Sequence, residues 1–60
     1  MGKKIICIVE DKEDLREGMG LMIDTSNNYS LAGSFANAEE ALQKIPAIGP
    51  DAVLMDINLP

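Results

Sequence analysis

The sequence has no histidine, no tryptophan and a single cysteine, Cys7, and only 3% of its residues are aromatic. A lone cysteine cannot form an internal disulfide, which favours a reducing compartment such as the cytoplasm. Zinc sites usually need several histidine and cysteine ligands, so the composition does not favour one. No apolar run reaches the roughly 18 residues of a transmembrane helix, so no membrane span is predicted. The core must be aliphatic, with methionine as filler.

The chain has 60 residues, of which 47% are hydrophobic, and its net charge is −5. This length allows one domain at most, and the hydrophobic content is that of a globular protein rather than a disordered one. A chain this short buries only about 60% of its unfolded surface. The acidic balance disfavours direct contact of this segment with nucleic acid.

Two short apolar runs, at residues 4–9 and 52–56, predict the first and third strands. Unbroken apolar runs of this length are typical of parallel strands that are covered on both faces. Residues 29–35 alternate only partly and contain a glycine, which predicts a second strand at a sheet edge.

Two segments, at residues 13–25 and 38–45, have the helical period. The second begins behind Asn37, a good N-cap, with Glu40 three residues further on. Pro46 is expected to end it. The apolar stripes comprise Leu15, Met19, Met22 and Ile23 in the first helix, and Ala38, Ala41, Leu42 and Ile45 in the second.

The order βαβαβ over residues 1–60 predicts a single α/β domain with a parallel sheet. If the first and third strands are neighbours, the strand order is 2-1-3. The crevice between these two strands is then the point where ligands bind in such sheets.

Three carboxylates follow the predicted strands: Glu10 and Asp11 after the first, and Asp56 at the end of the third. The carboxyl ends of parallel strands share one edge of the sheet, so these groups are expected to converge. Close carboxylates repel one another, and a divalent cation removes that penalty. An all-oxygen ligand set favours Mg²⁺.

Together with Arg16 and the residues 56–60, this acidic pattern resembles the receiver domain of bacterial two-component response regulators. Residues 36–42 and 50–56 are also similar to that family. The resemblance covers essentially the whole chain but only the N-terminal half of the family's domain. It implies the βαβαβ half of a flavodoxin-like, doubly wound parallel sheet.

By matching position, the resemblance implies that Asp56 is the phosphoacceptor, which takes a phosphoryl group from a sensor histidine kinase. Asp11 would bind Mg²⁺ directly and Glu10 mostly through metal-bound water. Asp56 itself and the backbone carbonyl of Asn58 complete the implied metal set.

A full receiver continues with further strands and helices that bring a Ser or Thr and a Lys to the phosphoryl group, and no lysine of this sequence lies where that one belongs. Receivers catalyse their own aspartyl phosphorylation, so whether this segment acts as an enzyme stays open. We expect Mg²⁺ affinity to be kept and phosphorylation to be impaired.

A second interpretation is a structural fragment that self-associates and carries out no phosphotransfer. The third strand would present an apolar edge, which invites pairing with another copy, so a homo-oligomer that completes the sheet is expected. A phosphate-cradling loop is unsupported, because residues 8–12 contain no glycine. Arg16 alone is interpreted as a solvated helix residue, and Cys7 as core.

Overall fold

The computed structural model describes residues 2–56, and for Asp56 only its place in the backbone. The strands form one parallel sheet in the order β2-β1-β3. The predicted fold is therefore confirmed: the chain forms the βαβαβ half of a flavodoxin-like, doubly wound sheet. The elements are β1 (Lys4–Glu10), α1 (Glu13–Asp24), β2 (Tyr29–Phe35), α2 (Ala38–Ile48) and β3 (Ala52–Asp56).

The two helices cover opposite faces of the sheet. The chain crosses from β1 outward to β2 through α1 and returns over β1 to β3 through α2. Right-handed crossovers in opposite directions place their helices on opposite faces. Alternate residues of β1 accordingly enter two core clusters. One contains Cys7, Val9, Phe35 and Ala41, with Ile45 and Ile48 packed against it, and the other contains Ile6, Ile8 and Ile23, with Met19 and Leu31.

Strand β2 lies at one edge of the sheet, as its mixed pattern predicts, and pairs only with β1 among the described residues. The register slips between Ile6 and Cys7, so that Ala32 is left without a partner as a bulge. Just beyond it, a Cβ at Gly33 would lie 2.9 Å from Cζ of the buried Phe35, so a larger residue there would force this ring to move.

Helix α2 contains Pro46 and continues to Ile48, so the prediction that this proline ends the helix is wrong. Proline fixes φ near the helical value, and here the helix continues although Pro46 has no N–H to donate to a preceding carbonyl. The end is set one turn later by Gly49, whose φ of 63° is left-handed and whose N–H donates to the carbonyl of Ile45. The start at Asn37 is confirmed, since its side chain accepts a hydrogen bond from the Glu40 N–H.

Helix α1 ends at Asp24 without a left-handed residue at its C-terminus. The hydroxyl of Thr25 instead donates to the carbonyls of Leu21 and Met22. This side chain satisfies carbonyls that a left-handed cap would otherwise serve.

The apolar stripes of both helices are only partly buried. Ile23 and Ala41 lie in the core, whereas Leu15, Met22 and Leu42 are 45%, 74% and 75% exposed. The stripe is wider than the face that three strands can cover, so its margins remain in solvent. Within residues 2–56 no helix is both long and apolar enough to cross a membrane.

Candidate functional site

The parallel register places Glu10 of β1 directly opposite Asp56 of β3. Asp11 follows at a bend immediately beyond β1. Neighbouring strands lie about 4.8 Å apart, so the backbones that carry these three acids meet at one edge of the sheet. The backbone thus brings together the positions that the sequence pattern singled out.

This register is fixed at the opposite end of β3 by Asp51. Its backbone N–H donates to the carbonyl of Ile5 over 2.7 Å, and its side chain accepts a hydrogen bond of 2.6 Å from the Ile5 N–H. One residue thus satisfies both polar groups of Ile5 on the β3 side. Because a slip by one residue would move every side chain of β3 to the other face, this pairing also determines what Glu10 faces.

Glu10 is fully buried, which is unusual for a carboxylic acid. Its Oε1 atom accepts a hydrogen bond of 3.0 Å from the backbone N–H of Lys12. Its Oε2 atom is buried and has no hydrogen-bond partner among the described residues. A buried carboxylate oxygen without a donor is costly unless something else compensates its charge.

Arg16 lies one turn into α1 and is half-buried, so its interpretation as a solvated residue is wrong. Its Nη1 atom donates a hydrogen bond of 2.8 Å to the backbone carbonyl of Glu10. The spacing from the end of β1 to the first turn of α1 was the signal that could have revealed this contact. Long helical side chains lean toward the N-terminus, and here that direction leads back to β1.

The predicted cation ligands are only partly described by the structure. Asp11 is exposed at the edge of the sheet. The side chain of Asp56 and the whole of Asn58 lie outside the described residues. Within the described part of the chain, no three acidic or cysteine side chains form a group that could hold a metal ion. The buried Oε2 of Glu10 and the all-oxygen donor chemistry nevertheless fit a hard divalent cation such as Mg²⁺.

The chain is similar in sequence to one known protein family and to several of its members. The family model described as the response regulator receiver domain matches residues 6–60. The chain is 37% identical over 60 residues to a protein-glutamate methylesterase/protein-glutamine glutaminase 1 of Syntrophomonas wolfei, covering 100% of this chain and 17% of that protein. It is 34% identical over 55 residues to the transcriptional regulatory protein YdfI of Bacillus subtilis, covering 92% of this chain and 26% of that protein.

A third similar protein, the nitrate/nitrite response regulator NarL of Escherichia coli, is 27% identical over 55 residues, covering 92% of this chain and 26% of NarL. The chain therefore spans about a quarter or less of the length of these curated relatives. No solved structure matches. Each of the three relatives matches most or all of this chain, although their names describe different activities.

Proposed function

The chain belongs to the response regulator receiver family, and from that premise we propose that it is a phosphoacceptor segment that takes a phosphoryl group onto Asp56. The donor is the phosphohistidine of a sensor histidine kinase, and the transfer requires Mg²⁺. The proposed location is the cytoplasm, where a lone thiol such as Cys7 stays reduced.

In the proposed step, a carboxylate oxygen of Asp56 attacks the phosphorus atom of the phosphohistidine. The new O–P bond forms as the N–P bond breaks, and the imidazole leaves with that electron pair and takes up a proton. A carboxylate is a competent nucleophile, and the product is an aspartyl phosphate. Mg²⁺, when bound, neutralises charge on the phosphoryl oxygens.

The observation that supports this proposal is the pairing of Glu10 with Asp56 in the register, together with the buried Oε2 of Glu10, which has no hydrogen-bond partner within the described residues. Asp11 is proposed to bind the cation directly, Glu10 mainly through a bound water, and Asn58 through its backbone carbonyl. Each of these donors is oxygen, which is the ligand that Mg²⁺ prefers.

We expect these sixty residues by themselves to be phosphorylated weakly. They carry the proposed oxygen ligands but not the Ser or Thr and the Lys that contact the phosphoryl group in a full receiver. Losing such preorganised contacts to a phosphoryl group typically costs about a hundredfold or more in rate. Whether the segment catalyses its own phosphorylation therefore depends on how well Glu10, Asp11 and the bound cation support the transfer without those contacts.

The test is incubation with acetyl phosphate, with and without Mg²⁺, followed by intact-mass measurement. A mass increase of one phosphoryl group that requires Mg²⁺ and disappears in Asp56→Asn is the expected result. Asp24→Asn, at an exposed position of α1, is the matched control and should be labelled like the unmodified chain. Labelling that persists in Asp56→Asn would refute Asp56 as the acceptor.

A second candidate function is self-association through β3 without phosphotransfer. Strand β3 pairs only with β1 among the described residues, and Val53, Leu54 and Met55 are 36%, 43% and 58% exposed. Apolar grooves of about 370 and 280 Å³ flank the strand on its two faces. A second copy could add its own β3 across a two-fold axis and cover both the edge and the grooves.

Sedimentation velocity tests this second function. The chain is expected to dimerise, and Leu54→Lys should weaken the dimer at least about tenfold, because a charge on an open strand opposes pairing. Leu21→Lys, at a 66% exposed position of α1, is the control and should leave association unchanged. A folded monomer at high concentration would rule out this candidate.

A further inference from the structure

The side chain of Arg16 connects α1 to the carbonyl of Glu10, the last residue of β1. Its own backbone N–H donates to the carbonyl of Lys12 over 2.9 Å, so the first helical turn fixes the Cα from which the side chain starts. The guanidinium then donates to the carbonyl of Glu10 over 2.8 Å. Both ends of this connection are therefore held by hydrogen bonds.

The contacted carbonyl belongs to the peptide that joins Glu10 to Asp11, the two acids of the proposed cation site. The peptide unit is planar, so holding its carbonyl also fixes the direction of the Asp11 N–H. The direction in which the chain leaves β1 then follows, and with it the relative placement of both side chains. One hydrogen bond thus constrains two acids.

Arg16 does this without pairing with the carboxylate. The salt bridge found within residues 2–56 joins Lys44 to Glu40, on α2, and does not involve Arg16. The Oε2 atom of Glu10 has no partner in that part of the chain. An arginine that paired with this carboxylate would compete with a cation, whereas one that holds the carbonyl leaves the carboxylate available.

We propose that Arg16 is a positioning residue for the divalent-cation site, holding the Glu10–Asp11 peptide so that the two carboxylates face the same cation. The inference rests on the cation site of the proposed function. It assigns to Arg16 no contact with cation or phosphoryl group, only the orientation of the residues that make those contacts.

The direction of the effect separates positioning from charge. Mg²⁺ affinity would be measured by calorimetry, and Mn²⁺ affinity by electron paramagnetic resonance, in the unmodified chain and in Arg16→Gln. Removing a nearby positive charge should tighten cation binding on Coulomb grounds. Loss of positioning should weaken it, by about tenfold for a residue that orients ligands. We expect the weaker binding.

Two further variants complete the experiment. Arg16→Lys keeps the charge and a donor but loses the planar fork, so its affinity should lie between those of the unmodified chain and Arg16→Gln. Lys44→Gln removes an equal charge from the exposed surface of α2 and should leave affinity unchanged. Thermal unfolding without cation shows whether each variant is folded. Repeating the binding measurements in sucrose, which stabilises the folded state, distinguishes loss of binding from loss of fold.

Unchanged or tighter binding in Arg16→Gln overturns the inference. So does an Arg16→Lys affinity no better than that of Arg16→Gln, because a long cationic donor at this position would then not restore any of the positioning. If the unmodified chain binds neither Mg²⁺ nor Mn²⁺, the cation site of the proposed function fails and this inference fails with it. If the unmodified chain binds and Arg16→Gln binds equally well, the inference alone fails.

Discussion

Strands β1 and β3 have nearly the same sequence pattern, an apolar run that ends in acid, yet they occupy opposite environments. Cys7 and Ile8 of β1 are fully buried, whereas their register partners in β3, Val53 and Leu54, are 36% and 43% exposed. The difference lies in their neighbours: β1 has a strand on each side and a helix over each face, and β3 pairs only with β1 within residues 2–56. An apolar run therefore specifies a strand, while the surrounding elements specify its burial.

The largest expected effect on stability comes from shortening the side chains of two residues that are register partners in β1 and β3, Ile8 and Leu54. Ile8→Ala should lower the free energy of unfolding by about 3 kcal/mol, because it leaves a cavity between β1 and α1. Leu54→Ala, in the neighbouring position of β3, should cost less than about 1 kcal/mol. Urea unfolding monitored by circular dichroism measures both.

These measurements belong at a concentration where sedimentation shows monomer. Equal losses for the two variants would contradict the comparison between the strands, since they would mean that β3 is as well covered in solution as β1.

A smaller effect is expected at the hydrogen bonds that join the two strands. Asp51→Ala should cost about 1 kcal/mol, because it removes the acceptor for the Ile5 N–H at an exposed position. Asp51→Asn retains an acceptor and should recover part of this loss. Urea unfolding measures stability, and hydrogen exchange of the Ile5 amide reports whether protection is lost locally.

The control for this pair is Asp24→Asn, which changes the same charge on the exposed surface of α1. A loss in Asp24→Asn as large as that in Asp51→Ala would show that the effect reflects net charge and not the contact between strands.

The smallest expected effect on stability concerns Cys7. Burial raises the pKa of the Cys7 thiol above its ordinary value of 9.0. The unfolded chain therefore releases this proton at a lower pH than the folded chain does. The stabilising contribution is fully present below pH 9.0 and is lost as the pH rises through the folded value. The difference in unfolding free energy between the chain and Cys7→Ala, followed from neutral to alkaline pH, isolates this effect.

Thiol labelling compares the accessibility of β1 and β3 at another pair of register partners, Cys7 and Val53. Cys7 should react with a disulfide reagent at least about a hundredfold more slowly than a thiol introduced by Val53→Cys in a Cys7→Ala background. Fast labelling of Cys7 would mean that β1 is not the protected centre of the sheet.

Much of the fold follows from local patterns. The two apolar runs, the helical stripe after Asn37 and the weak alternation of β2 each predict the element that forms. The alternation of strands and helices predicts a parallel sheet, and the order 2-1-3 was expected on the condition that β1 and β3 are neighbours, which the structure shows. The placement of Glu10 opposite Asp56 follows in turn, because parallel strands bring their carboxyl ends to one edge.

Two outcomes have a common cause: Arg16 was expected to face solvent but contacts Glu10, and Leu42, on the apolar stripe of α2, is 75% exposed. Both depend on what lies beside the residue in space, a carbonyl at the end of another element and a sheet too narrow to cover the stripe, and neighbouring residues in the sequence carry little information about such contacts. The error at Pro46 is different, because Gly49, the residue that caps α2, lies only three positions further along the sequence.

The sequence by itself determined the elements, their order and the acids that end two of the strands, because periodicity, capping and turn residues act over a few positions. Only the tertiary structure decided that Glu10 is fully buried with one oxygen that has no partner in the described part of the chain, that Arg16 holds the Glu10 carbonyl and that β3 is left exposed. These features depend on packing and hydrogen bonds between residues from different elements, and their energies are set by the three-dimensional surroundings.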